Sequence, residues 1–360
     1  MIPILYEKSA TTFTNNGVCR LRDCGSCAVT EERNGIYECD FTYPVSAEKY
    51  SEIYPGRIIY AETDRKGTLQ PFDIVGYSKP IDGMVSFHAV HVSYRLNTVV
   101  ARGTSISSLA DALDMLRAGV PESGFGFHTD KTSTGNMAAA DGVPRTVKSM
   151  IGGVEGSILD SYGGELKWDG FDVNILNQRG QQRDVPIRYG LNLSDYKEDA
   201  DYSETYTACI PYWAGSEDGE EGGDVIVVGS MVSSGVASYD GRIDCMPLDL
   251  SDKFETQPTV AQVEAEGLRY MQASQSSLPT QSIEVSFVDL RDTLEYQGIA
   301  PLLEFGLCDT VPVVFPRYGM DGYFKVVKTV YNVLSERYDS MELGALSTTL
   351  AQALGLEKQR

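Results

Sequence analysis

Short apolar runs set off by turn residues recur at roughly ten-residue spacing near the N-terminus, and this rhythm constrains the fold more than any other feature. The runs are Cys27–Thr30, Gly35–Phe41, Arg57–Ala61 and Phe72–Tyr77, followed by Met84–Leu96, which is long enough for a bent strand. Within the second run Tyr37, Cys39 and Phe41 fall on one face, as a strand packed on a core requires. Residues 1–102 are therefore expected to form a small barrel or sandwich.

The pattern then changes. Thr104 or Ser105 can cap a helix whose apolar face is Ile106, Leu109, Ala110, Leu113 and Leu116, with Gly119 and Pro121 ending it. A second helix is expected over 143–151, then two strands within 163–178 meeting at Trp168-Asp169-Gly170-Phe171, because Asp-Gly between apolar runs marks a hairpin. Residues 103–185 read as a small α/β unit. From 186 to 255 the chain reads as β again, broken by Ser216–Asp224, which is too polar and glycine-rich to bury. A helix is expected from near Pro258 to about Gln275, then a strand over Ile283–Leu290. Val311–Phe315 and Tyr323–Tyr331 read as strands, with Pro312 and Pro316 marking an edge or a bend, and a last helix is expected over 345–354. A length of 360 residues predicts two to four compact units, and no repeat period is visible.

The charge balance narrows the partners. Lys plus Arg number 30 and Asp plus Glu 51, a formal net charge of −21, which repels phosphate and argues against a duplex-gripping surface. Hydrophobic content of 42% is ample for packed cores. No apolar run reaches the ~18 residues of a membrane helix and no signal peptide is visible, so synthesis in the cytoplasm and reduced cysteines are expected.

Candidate chemistry is sparse. Cys19, Cys24 and Cys27, with Cys39 further on, have the spacing of a plant-type iron–sulfur loop, and four thiolates could also hold zinc. Against this, Cys39 lies inside an alternating strand and Cys27 opens another, which favours buried thiols. His88 and His91 sit three apart in a strand-like run and so point to opposite faces; His128 is the third histidine. No HExxH helix, Gly-x-Ser-x-Gly elbow, Walker loop or dinucleotide fingerprint occurs, and Ser216–Asp224 lacks the spacing of a calcium loop.

Several stretches carry a family resemblance: Glu155–Asp169, Asn177–Gly180, Ile187–Leu193, Val29–Glu38 near the start, and Gly306–Val313 and Tyr331–Gly344 near the end. Together they resemble the N-terminal region of phage minor structural proteins, the family also called prophage tail endopeptidase or tail-associated lysin. The resemblance implies the fold of the baseplate hub of contractile-tailed phages: multidomain and mainly β with α+β parts. That means two β-barrel-like tube domains, 1–102 and 186–255 with 297–343, and two smaller domains, 103–185 (α/β) and 256–296 with 344–360 (helix and strand). It further implies a structural component of a siphophage or prophage tail tip. A homotrimer would form a ring adapting a hexameric tube to a threefold tip, with the distal tail protein and tail tube above and fibre or receptor-binding proteins below. DNA would only pass through; no cofactor and no membrane insertion are implied. The family name suggests a rival reading, a cell-wall-degrading endopeptidase or peptidoglycan hydrolase, but in longer relatives that activity lies in a domain after the hub region, so no enzyme is expected in these 360 residues. A third reading is a metal or electron-transfer protein built on the early cysteines. Tyr162, Gly163, Gly164 and Trp168 are the candidate assembly residues, since a glycine-rich, aromatic-bearing turn suits an interface; tight hairpin packing within one domain would use the same residues.

Metal analysis of the purified protein is expected to find far less than one iron or zinc per chain. A stoichiometric metal that disappears in Cys24→Ser would reverse that expectation.

Overall fold

The computed structural model describes residues 1–120, 124–154, 156–184, 186–188, 193–201, 205–216, 224–235, 242–254, 256–273, 280–287, 305–315, 317 and 320–345. Two compact units divide the chain: Met1–Lys197 with Glu284–Gly344, and Glu198–Ile283 with Ala345–Arg360. The protein is mainly β, with few helices.

The first unit is organised by a large antiparallel sheet. Strands Ser26–Glu32, Tyr37–Pro44, Met84–His91, Leu69–Ser78, Ile58–Glu62, Ile4–Tyr6 and Cys19–Arg20 follow one another across it. Burial alternates along Tyr37–Pro44, so Tyr37, Cys39, Phe41 and Tyr43 point inward as the sequence predicts. Phe41 and Phe87 are directly opposed partners and stack with ring centroids 5.0 Å apart. Cys27 and Cys39 lie in this core with sulfur atoms 3.7 Å apart, while Cys19 and Cys24 pack half-buried against it. The hydrogen bond with Cys27, and then burial, pushes the Cys24 thiol far above its ordinary value. His88 is partly exposed and bonded to Asp40, whereas His91 on the opposite face is fully buried.

The same sheet continues through the far end of the chain. Met320–Asn332 pairs with Ser26–Glu32 from Lys328↔Glu32 to Asn332↔Ala28, and on its other half with Thr310–Phe315. Pro312 sits within that pairing, opposite Tyr323; Pro316 lies outside the described residues. The sheet path ends at Cys19–Arg20 without returning to its start, so among the described residues the sheet stays open where a barrel was expected.

Residues 103–185 fold as helices and a small sheet, with boundaries shifted from expectation. The helix runs Leu109–Gly119 and is capped by Ser108, whose hydroxyl accepts from the Asp111 N–H at 3.2 Å, not by Thr104 or Ser105. Thr104 and Ser108 bridge to Asp141 and Thr134, and Ser105 adopts φ 55°, which keeps 104–108 out of the helix. The inward face becomes Leu109, Ala112, Leu113 and Leu116, leaving Ala110 exposed. Short helices occupy Val147–Ile151, within the expected 143–151, and Ile158–Tyr162, which the sequence reading missed. The hairpin forms as Glu165–Asp169 and Asp172–Leu176; its two-residue loop is Gly170-Phe171, one position later than expected, because Gly170 takes the positive φ of 57°. Gly126–Thr129 adds to Asp172–Leu176 in parallel.

No packing boundary falls near residue 102. Phe127, Leu109, Trp168 and Val173 belong to one buried cluster with Leu5, Phe41, Phe72 and Leu96. The β region and the α/β region therefore share a core, and the two sequence-defined segments form a single unit.

In the second unit Ala208–Ser216 is central, paired with Asp224–Val228 and Val232–Ser233 antiparallel and with Cys245–Asp249 parallel. The helix Val260–Ala273 follows Pro258 as predicted and packs closely: a Cβ on Gly267 would stand 2.7 Å from the Pro211 ring. Cys209, Trp213, Leu248, Val263 and Met271 form its core. The predicted polar loop at 216–224 is flanked by the pair Ser216↔Asp224, with 217–223 outside the described residues, as is most of the expected final helix. The strand expected over Ile283–Leu290 is Thr280–Phe287. Among the described residues no helix is long and apolar enough to cross a membrane.

Phe127→Ala is expected to remove about 3–5 kcal/mol and to lower one thermal transition common to residues 1–176. A second transition over residues 1–102 that does not move in calorimetry would mean that the two regions have separate cores.

Candidate assembly site

The turn singled out from sequence is built from a helix end and a strand start. The helix Ile158–Tyr162 stops at Gly163 and Gly164, which take φ 64° and 123°. At Gly164 a side chain would also fail on space, since a Cβ would stand 2.9 Å from the Leu176 carbonyl oxygen. Tyr162 is buried, and its hydroxyl donates to the Gly135 carbonyl at 2.9 Å. Trp168 is buried too, with the Lys148 ammonium 3.9 Å from its ring centroid. Burial pushes Lys148 down to about 8. The two aromatic side chains thus face into the unit, and the two glycines shape the turn that delivers the strand Glu165–Asp169.

Beside this turn lies a charged junction. Glu165 is only 3% exposed at its side chain; its Oε1 accepts from Arg33 Nε at 2.9 Å and Lys325 Nζ at 2.6 Å, and its Oε2 from the Arg179 N–H at 2.8 Å. Burial alone would raise its pKa, but Lys325, the Arg179 N–H and Arg33 together hold it below the usual carboxylate range. Arg179 in turn makes a two-pronged pair with Glu31, at 2.7 and 3.0 Å, and donates to the Leu166 carbonyl. Asn34, at φ 58°, donates to the Gly164 carbonyl at 3.0 Å and accepts from the Leu166 N–H at 2.8 Å.

One step further, residues 180–183 cross the segment before Thr310–Phe315. Only glycine fits at 180, where a Cβ would stand 2.0 Å from the Cys308 carbonyl oxygen. Arg183 Nε donates to Asp309 Oδ2 at 2.7 Å, and the Gln181 N–H to Asp309 Oδ1 at 2.7 Å. A cleft of about 220 Å³ opens beside these pairs, with Lys66, Lys167, Arg183, Gln181 and Thr329 in its wall.

None of these ion pairs is visible as a local motif. Several of the residues nevertheless come from the stretches that carried the resemblance: Glu31, Arg33 and Asn34 from Val29–Glu38, Gly164 and Glu165 from Glu155–Asp169, Arg179 and Gly180 from Asn177–Gly180, and Asp309 from Gly306–Val313, whereas Arg183 and Lys325 lie outside them. Four of those six stretches meet at this junction. The described side chains of the site hold one another's charges in place. Among the described residues no group of three or more His, Cys, Asp or Glu side chains stands close enough to hold a metal ion.

This fold is similar to that of solved tail proteins. The chain is similar to a prophage tail protein from Listeria monocytogenes, with a TM-score of 0.58 and 15% identity over 99% of this chain and 98% of that one. It is likewise similar to a 43 kDa tail protein of prophage MuSo2 from Shewanella oneidensis, with a TM-score of 0.56 and 10% identity over 95% of this chain and 98% of that one. A tail protein from Neisseria meningitidis gives a TM-score of 0.57 and 10% identity over 96% of both chains. No family model matches the sequence, and no curated protein matches it.

Replacing Glu165 by Gln leaves Lys325 and Arg33 without a counter-charge and is expected to cost on the order of 3 kcal/mol, read as a lower urea midpoint. Glu48→Gln, which breaks the exposed pair with Lys49, should leave the midpoint where it was. Because the folded pKa of Glu165 lies below its ordinary 4.5, the unfolded chain binds the proton first; its contribution is intact above pH 4.5 and is lost as pH falls through the lower folded value. The wild-type midpoint should fall with acid over that range, and that part of the slope should vanish in Glu165→Gln. An unchanged slope would relocate the charge control elsewhere.

Proposed function

We propose that this chain is a structural component of a siphophage or prophage tail tip, a baseplate hub, and not an enzyme. The observation that carries the reading is the likeness of fold to three tail proteins, two of them from prophages, along nearly the whole of both chains. Three subunits form a ring that matches the hexameric tail tube above through two tube-facing β domains in each subunit. One is assigned to residues 1–102 and the other to 186–255 with 297–343. The pairing of Ser26–Glu32 with Met320–Asn332 supports a side-by-side arrangement, since neighbouring segments of one tube wall need continuous hydrogen bonding. The distal tail protein and tail tube lie above the ring, and fibre or receptor-binding proteins below. Tyr162, Gly163, Gly164 and Trp168 enter assembly by setting the position of the hairpin that follows them. Each subunit brings a net charge of −21, and an acidic lumen would keep passing DNA from adhering.

Native mass spectrometry with negative-stain imaging, on the chain alone and mixed with the distal tail protein of the same phage, tests the ring. Three copies around a hollow axis are expected. A chain that stays monomeric in the mixture, or a closed dimer, would sink the proposal, and a cleared band in a peptidoglycan zymogram would restore the hydrolase reading.

A further inference from the structure

The cleft beside the ion-pair junction has a mismatch between donors and acceptors. Three carboxylates line it, and every one of their oxygens is already used. Glu31 accepts both prongs of Arg179. Asp64 Oδ1 accepts from the N–H groups of Lys66 and Thr68, and its Oδ2 from the Thr68 hydroxyl. Asp309 Oδ1 accepts from the Gln181 N–H, and its Oδ2 from Arg183 Nε and the Gly306 N–H.

The cations are not used in the same way. Arg183 spends only its Nε, leaving both terminal nitrogens of the guanidinium without a partner among the described residues. Lys66 and Lys167 line the same cleft, and neither ammonium has a hydrogen-bond or ion-pair partner among the described residues. An arginine fork and two ammonium groups are a large unspent donor capacity for one small cavity. It is the more notable in a chain where acids outnumber bases 51 to 30. What such a cavity lacks is an acceptor carrying negative charge.

The walls say more about its shape. Trp168, Phe305, Leu307 and Tyr338 also line the cleft. A volume of about 220 Å³ suits one short chain with a charged end. We propose that the cleft is a binding site for a carboxylate on a short apolar stem, the chemistry shared by a free dicarboxylate and a glutamate side chain of a partner protein. The carboxylate meets Arg183, Lys66 and Lys167, and the stem lies against the aromatic wall. This site is independent of the hub reading, since it rests on hydrogen-bond accounting within one unit.

Isothermal titration of the full chain with glutarate, with a neutral-ended peptide holding a single Glu, and with inorganic phosphate tests it. Saturable one-to-one binding of glutarate or of the Glu peptide is expected, weakened at least tenfold in the double variant Lys66→Gln, Lys167→Gln. Those two lysines break no ion pair, so the variant keeps its fold, checked by an unchanged melting curve. Glutarate binding with no response to the peptide assigns the site to a free metabolite, and the reverse assigns it to a partner's side chain; either supports the proposal. Equal affinity in wild type and double variant overturns it, as does the absence of binding by both carboxylates. Phosphate bound as tightly as glutarate overturns the role given to the stem.

Discussion

One buried carboxylate organises the contact between distant parts of the first unit. Glu165 is withdrawn from water at a cost that only close, correctly aimed donors can offset. It finds them in Arg33, Lys325 and the backbone of Arg179, which belong to three segments far apart in sequence. Once those are in place Arg179 can reach Glu31, and Gly180 can pass against Cys308 closely enough for Gln181 and Arg183 to meet Asp309. A chain of charge-assisted bonds thus runs from the first hairpin to the last strands.

Apolar packing supplies the stability that this polar junction directs. The core is continuous from Leu5 to Val333, and it takes in the small α/β region as well as the large sheet. His91 shows how closely the two regions are joined. It stacks on Tyr37 at 4.7 Å and shares Gln70 with the hairpin loop, since the Gln70 side-chain oxygen faces both His91 and the Gly170 N–H. Burial, and then Lys148, holds His91 well below its ordinary pKa, as a neutral ring inside an aromatic cluster. Neither region presents a complete buried face without the other.

The charged groups of the junction are spent on one another, and the three histidines are tied to separate partners, His88 to Asp40, His91 to Gln70 and His128 to Asp172. The formal net charge of −21 opposes adhesion of nucleic acid.

Local periodicity was sufficient for the longer elements, though not for short ones such as Ile158–Tyr162. The alternation Tyr37, Cys39, Phe41 placed those side chains inward, the Asp-Gly pair marked the hairpin to within one residue, and Pro258 announced the helix Val260–Ala273. Periodicity also favoured Cys27 and Cys39 as core residues over metal ligands, because a strand that alternates has already committed its inward positions. Boundaries were less legible where several residues compete for one role, as with Thr104, Ser105 and Ser108 at a single helix start, decided by bridges to Thr134 and Asp141. Pairing between Ser26–Glu32 and Met320–Asn332, the shared core across residue 102, and the clustering of Glu31, Glu165, Arg179 and Lys325 were decided by the tertiary structure alone. The physical reason is that a strand's edge or a charged side chain carries no mark of its distant partner: hydrogen-bonding groups are alike on every strand, and a lysine or glutamate pairs with whatever opposite charge the folded chain brings within reach.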